Sequence, residues 1–166
     1  MKFKSKIVAA FPGTGKSTFF RENERCLDSD SSNFSWVVDE NGIKTRNPEF
    51  PTNYIEHIKE NMVNDEIDWI FISSHKEVRD LLIENEIPYY LVFPNVELKE
   101  DYLYRYIMRG SPQSFVDLLD SEWEEWLNEC ETLESEFVRK IELGKETTME
   151  KVINSILNYQ SDLLRK

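Results

Sequence analysis

Two glycines, a lysine and three hydroxyls in Pro12-Gly13-Thr14-Gly15-Lys16-Ser17-Thr18 are spaced to hold a chain of phosphates. Gly13 and Gly15 let successive backbone N–H groups turn toward one point without Cβ clashes, which makes a concave anion nest. The Lys16 ammonium can reach outer phosphate oxygens, and the Ser17 hydroxyl can ligate Mg²⁺. A helix starting here, running on through Phe19 and Phe20, adds unpaired N–H donors and the positive end of its dipole. A plain strand-to-helix turn with a surface lysine would use similar residues. The apolar run Ile7 to Ala10 before the turn and the helix after it favour the phosphate site. The strictest form of this motif begins with glycine; here that place is Ala10, which ends the strand rather than touching phosphate.

Two further constellations carry chemistry. Asp28-Ser29-Asp30 follows a brief strand at 25–28, at the end where ligands sit in open α/β sheets. One carboxylate there can serve Mg²⁺ through water while the other accepts a proton from a hydroxyl or orients an acceptor. The same three residues also suit an Asx turn or a helix cap. Arg105 and Arg109, four apart on one helix face before Gly110-Ser111-Pro112, can close over phosphates and neutralise charge that develops in phosphoryl transfer. Alternatively they pair with Glu97, Glu100 or Asp101. Arg79 and Arg46 are candidate acceptor contacts, each weighed against a solvated surface charge, as is Lys59. His75 reads as a helix-start residue rather than a catalyst. Trp123 and Trp126 read as core rather than base-stacking platforms. Gly144-Lys145-Glu146 is a weak candidate for an adenine rest.

These residues need a scaffold of alternating strands and helices. Strands are expected at 7–10, 25–28, 68–73, 88–93 and 140–143. The nearly all-apolar run at 68–73 marks a central parallel strand. Residues 33–39 are ambiguous, and Glu40-Asn41-Gly42 is a turn. A helix from Thr52 to about Asn64 buries Tyr54, Ile55, Ile58 and Met62. Ser74 and Glu77 suggest a capping box for the next helix, which turns Val78, Leu81 and Leu82 inward. Ser111-Pro112 suggests a cap and first turn for a helix with Phe115, Leu119, Trp126, Cys130 and Leu133 inside. Thr147 and Glu150 suggest the cap of the last helix. The expected fold is a three-layer α/β sandwich, a five-stranded parallel sheet with helices on both faces. The whole of 1–166 forms one domain, with 40–64 as an acceptor-binding segment and 105–125 as a lid.

Composition narrows the function classes. A chain of 166 residues with 40% hydrophobic and 13% aromatic content can build one proper core. The net charge of -12 argues against a nucleic-acid binder held by general charge attraction, although a polynucleotide 5′ end remains possible as a substrate. Cys26 and Cys130 lie far apart, and with only His57 and His75 they give no zinc spacing. Two isolated thiols, no signal-peptide pattern and no membrane-length apolar run point to a cytoplasmic protein.

The order of parts resembles the nucleoside monophosphate kinase-like branch of P-loop kinases, and more faintly the small P-loop kinases of tailed bacteriophages. In adenylate kinases the P-loop comes first, then an acceptor-binding helical segment, then a third strand ending in acceptor and metal contacts, and a helix with two arginines entering a lid. These roles fall on Gly13 to Thr18, on 46–64, on Ser73 to Arg79, and on Arg105 with Arg109. The resemblance implies the strand order 2-3-1-4-5. In place of the Asp-Gly-Phe-Pro-Arg element of adenylate kinases, this chain carries Ser73-Ser74-His75-Lys76-Glu77-Val78-Arg79. Asp28-Ser29-Asp30 looks instead like the acidic pair of shikimate kinases, and polynucleotide kinases place an aspartate base in that region. The expectation is an ATP- and Mg²⁺-dependent phosphotransferase. Pro12 to Thr18 would bind nucleotide, and Lys16, Asp28, Asp30, Arg105 and Arg109 would catalyse. Ser17 and Asp28 would serve the metal, and Asp30, Arg46 and Arg79 the acceptor. A nucleoside monophosphate or nucleoside is preferred as acceptor, with a small alcohol or 5′-hydroxyl as the alternative. An ATP-binding regulatory module without turnover is the alternative of another class.

Overall fold

Ile7, Val8, Ala9 and Ala10 are each at most 2% exposed, because the strand they form lies at the middle of a sheet covered on both faces. The structure is a computed structural model that describes the backbone of residues 4–15, 19 and 21–164. Strands β1 (Lys6–Ala10), β2 (Cys26–Asp28), β5 (Trp69–Ser73), β6 (Tyr89–Pro94) and β7 (Val138–Leu143) form one sheet in the order β2-β5-β1-β6-β7. All neighbouring pairs are parallel, with Ala10 beside both Ser73 and Val92, and Asp28 beside Phe71. The carboxyl ends of all five strands therefore share one edge.

The numbering 2-3-1-4-5 becomes 2-5-1-6-7 because two short strands stand between the second and third strands of the sheet. They are β3 (Trp36–Val38) and β4 (Lys44–Arg46), an antiparallel hairpin of its own. Its turn is held by Asp39, whose Oδ1 accepts from the N–H groups of Asn41 and Ile43, and by Gly42 at φ +78°. All six strand residues are exposed, so no buried alternation marked them in the sequence.

Period-two alternation along the strands divides the core. Ile7, Ala9, Phe11, Ile70, Ile72, Leu91 and Phe93 face three helices: α2 (Thr52–Met62), α3 (Lys76–Glu84) and α5 (Gln113–Thr132). Val8, Ala10, Phe71 and Val92 face Phe19 and the final helix α6 (Met149–Leu164). The short α1 (Ser32–Ser35) leads into the hairpin, and a 3₁₀ turn at Val96–Leu98 leads into α4 (Lys99–Met108). The buried face of α2 is the expected Tyr54, Ile55, Ile58 and Met62.

Several local expectations are corrected. Helix α3 begins one residue after the proposed box, with His75 as N-cap and no side-chain cap; Glu77 instead pairs with Arg46. Pro112, not Ser111, precedes α5, again without a side-chain cap. The fully buried stripe of α5 is Val116, Leu119, Trp123, Leu127 and Cys130, whereas Phe115, Trp126 and Leu133 flank it half-buried. At α6 the hydroxyl of Thr148 accepts from Lys151 N–H, while that of Thr147 accepts from Gly144 N–H and closes the preceding turn. Among the described residues no helix is long and apolar enough to cross a membrane.

Candidate active site

After β1 the chain heads for the β2 edge, and after β6 it heads for β7. The strand order thus opens a crevice at the carboxyl ends of β1 and β6, where α/β sheets take ligands. Residues 11–15 fill the mouth of that crevice. Phe11 N–H donates to the Val92 carbonyl at 2.9 Å, continuing the pairing of β1 with β6 by one residue. Thr14 is buried, and its hydroxyl donates back to the Phe11 carbonyl at 2.9 Å, which closes the loop on itself. Gly13 and Gly15 stand at φ +84° and +90°, a region costly for any residue with a Cβ. The Gly15 carbonyl accepts from Phe19 N–H at 3.2 Å, so helical bonding begins directly behind the second glycine. Two positive-φ residues ahead of a helix start can aim several N–H groups at one anion. Lys16, Ser17 and Thr18 lie outside the described residues; Pro12 is half-buried in the turn.

At the end of β2, Asp28 keeps the alternation that puts Cys26 on the side of the sheet where Phe19 packs. Its Oδ1 is buried and has no hydrogen-bond partner among the described residues, and neither has the buried Ser29 Oγ. Such atoms are rare unless something else is to bind them. Asp28 lies two strand spacings from β1, about 10 Å. Asp30 is different. It is exposed, and its Oδ1 accepts from Ser32 N–H at 2.9 Å, the Asx turn that starts α1. Behind this edge the Tyr54 hydroxyl donates to the Ser29 carbonyl at 2.6 Å and accepts from Ser73 N–H at 3.5 Å. Burial pushes the Tyr54 phenol up to about 12. Ser73 Oγ donates to Ser31 Oγ at 2.8 Å, so the hydroxyls near the third sheet strand are tied to α1.

No group of three or more metal-ligating side chains exists among the described residues. Mg²⁺ at nucleotide sites is usually held by nucleotide oxygens, waters and one or two protein groups. The unpartnered Asp28 oxygen fits such a shell.

The four arginines separate. Arg105 is half-buried and donates from Nη1 to the Gly13 carbonyl at 2.9 Å, with its guanidinium 4.4 Å from the Tyr102 ring centre. Arg109 is exposed beside the Tyr106 ring, 5.1 Å from its centre. Neither forms an ion pair with Glu97, Glu100 or Asp101 among the described residues. Arg79 is 4% exposed; its Nε donates to the Ser74 carbonyl at 2.8 Å and its Nη2 lies 3.5 Å from Glu129. Arg46 is exposed between the Trp36 and Phe50 rings and paired with Glu77. The 105–125 segment is split between the end of α4, a turn with Gly110 at φ +74°, and the first half of α5, where Trp123 is fully buried. Trp123 packs edge-on against Phe11 with ring centres 5.6 Å apart.

Sequence reading missed Tyr102 and Tyr106, although Tyr102, Arg105 and Tyr106 at i, i+3 and i+4 share one helix face. A Cβ on Gly13 would sit 3.1 Å from both rings.

No protein-family model matches this chain. A search of curated proteins finds no match. The geometry at the crevice is what bears on function.

Proposed function

We propose that the chain is an ATP- and Mg²⁺-dependent phosphotransferase of the P-loop kinase kind, acting on a small acceptor. One observation carries this reading: a self-closed loop with two positive-φ glycines at the carboxyl end of the central strand, with helical bonding starting at once behind it. In this reading the loop amides hold the α- and β-phosphates, and Lys16 reaches the β- and γ-phosphates. Ser17, and Asp28 through water, would hold Mg²⁺, which would supply charge neutralisation for phosphoryl transfer. Arg109 completes the cationic surround, with Arg105 one turn earlier on the same helix face. The acceptor enters over the β2–β5 end, between Asp28 and the hairpin segment, and is a nucleoside monophosphate or a nucleoside.

Two observations favour a hydroxyl over a phosphate as the reacting group. The unpartnered Asp28 oxygen can take a hydroxyl proton, whereas a phosphate acceptor needs no base. The cations expected to bind an acceptor phosphate, Arg46 and Arg79, are each paired with a carboxylate. Offering MgATP with nucleosides, nucleoside monophosphates, small polyols and 5′-hydroxyl oligonucleotides, and weighing the products by mass spectrometry, tests both points. Phosphate transfer to any arm supports the kinase. Tight ATP binding with transfer to none would make the chain a regulatory nucleotide-binding module instead.

A further inference from the structure

Arg105 belongs to α4, far along the chain from the loop, yet its Nη1 donates to the carbonyl of Gly13 at 2.9 Å. A trans peptide points its carbonyl and the next N–H in opposite directions. Holding the Gly13 oxygen toward α4 therefore aims the Thr14 N–H away from α4. Tyr102 and Tyr106 close the flank of Gly13, where an added Cβ would come within 3.1 Å of each ring. The Arg105 guanidinium is itself pre-set, lying on the Tyr102 ring, which is 2% exposed and packed 5.4 Å from Trp123.

We infer that Arg105 is a positioning residue of the nucleotide loop. With the Tyr102–Tyr106 pair it fixes the 13–14 peptide so that the Thr14 amide stays directed into the anion nest. Its charge acts through the loop rather than by contact with the transferred phosphoryl group. This inference rests on the nucleotide site proposed above.

The two roles open to Arg105 predict different losses. Loop amides cradle the inner phosphates, so a positioning residue matters equally for di- and triphosphate, whereas a clamp on the terminal phosphate matters for the triphosphate alone. Calorimetric titration of MgATP and MgADP into the unmodified chain, Arg105→Gln and Arg105→Lys separates them. Arg105→Gln should weaken both nucleotides by the same factor, about tenfold for one charge-assisted hydrogen bond. Arg105→Lys should recover part of each, because it keeps a charged donor but loses the planar stack. Should Arg105→Gln fail to fold, as judged by its melting transition, the lysine variant carries the comparison with a smaller, still equal, loss. A loss confined to MgATP, or no loss at all, overturns the inference and leaves the kinase standing. Failure of the unmodified chain to bind either nucleotide removes the kinase reading and this inference with it.

Discussion

At the residue scale the acidic pair after β2 separates into two jobs. Asp30 spends its Oδ1 on the turn into α1, and asparagine can accept that same bond. Asp28 has a buried oxygen without a partner among the described residues. Asp28→Asn should therefore slow transfer to a hydroxyl acceptor by about 10²–10⁴-fold, the usual worth of a positioned base. Asp30→Asn should change it only a few-fold. Initial rates for both variants on one hydroxyl acceptor check this, and equal losses would return the pair to a common role. Lys16→Ala should remove transfer while leaving the melting temperature unchanged, because phosphate charge is what a P-loop lysine answers. Turnover retained in that variant would discard the loop as the catalytic nest.

At the scale of elements, the loop is only as well placed as the helices behind it. Trp123 is fully buried, donates from its indole nitrogen to the Val96 carbonyl at 2.8 Å, and packs on Phe11, the first residue of the loop. Trp123→Ala should cost about 3–5 kcal/mol of stability, the range for emptying a large aromatic site. Urea unfolding measures it, and a loss under 1 kcal/mol would mean that α5 repacks and does not anchor the loop. What could be read in advance follows the same division. The inner strands β1, β5 and β6 were legible because continuous apolar runs such as Trp69–Ser73 are what burial on both faces selects. The hairpin was not, since Trp36–Val38 and Lys44–Arg46 bury nothing and carry no period. The glycine loop was legible from local spacing. The engagement of Gly13 by Tyr102, Arg105 and Tyr106 was not, because it joins residues some ninety positions apart. Helix starts at α3, α5 and α6 were each displaced by one residue, since several neighbouring polar groups there could serve as the cap.

At the scale of the whole molecule, strands, loop and helices meet at one edge, so a ligand at that edge should stabilise the entire fold. The chain's charge of -12 gives an anionic nucleotide no general attraction, and its binding must come from the local donors of the loop and α4. A ligand that binds only the folded state adds RT ln(1 + [L]/Kd), about 2.7 kcal/mol at a hundredfold excess over Kd. For a domain of this size each kcal/mol raises the melting temperature by about 2–4 °C, so saturating MgATP should raise it by about 5–10 °C. MgADP should give a similar rise, inorganic phosphate a much smaller one, and Lys16→Ala should flatten both nucleotide responses. Differential scanning calorimetry across these ligands checks the series. A melting temperature indifferent to every nucleotide would mean that the glycine loop closes on nothing but itself, through the bond from the Thr14 hydroxyl to the Phe11 carbonyl.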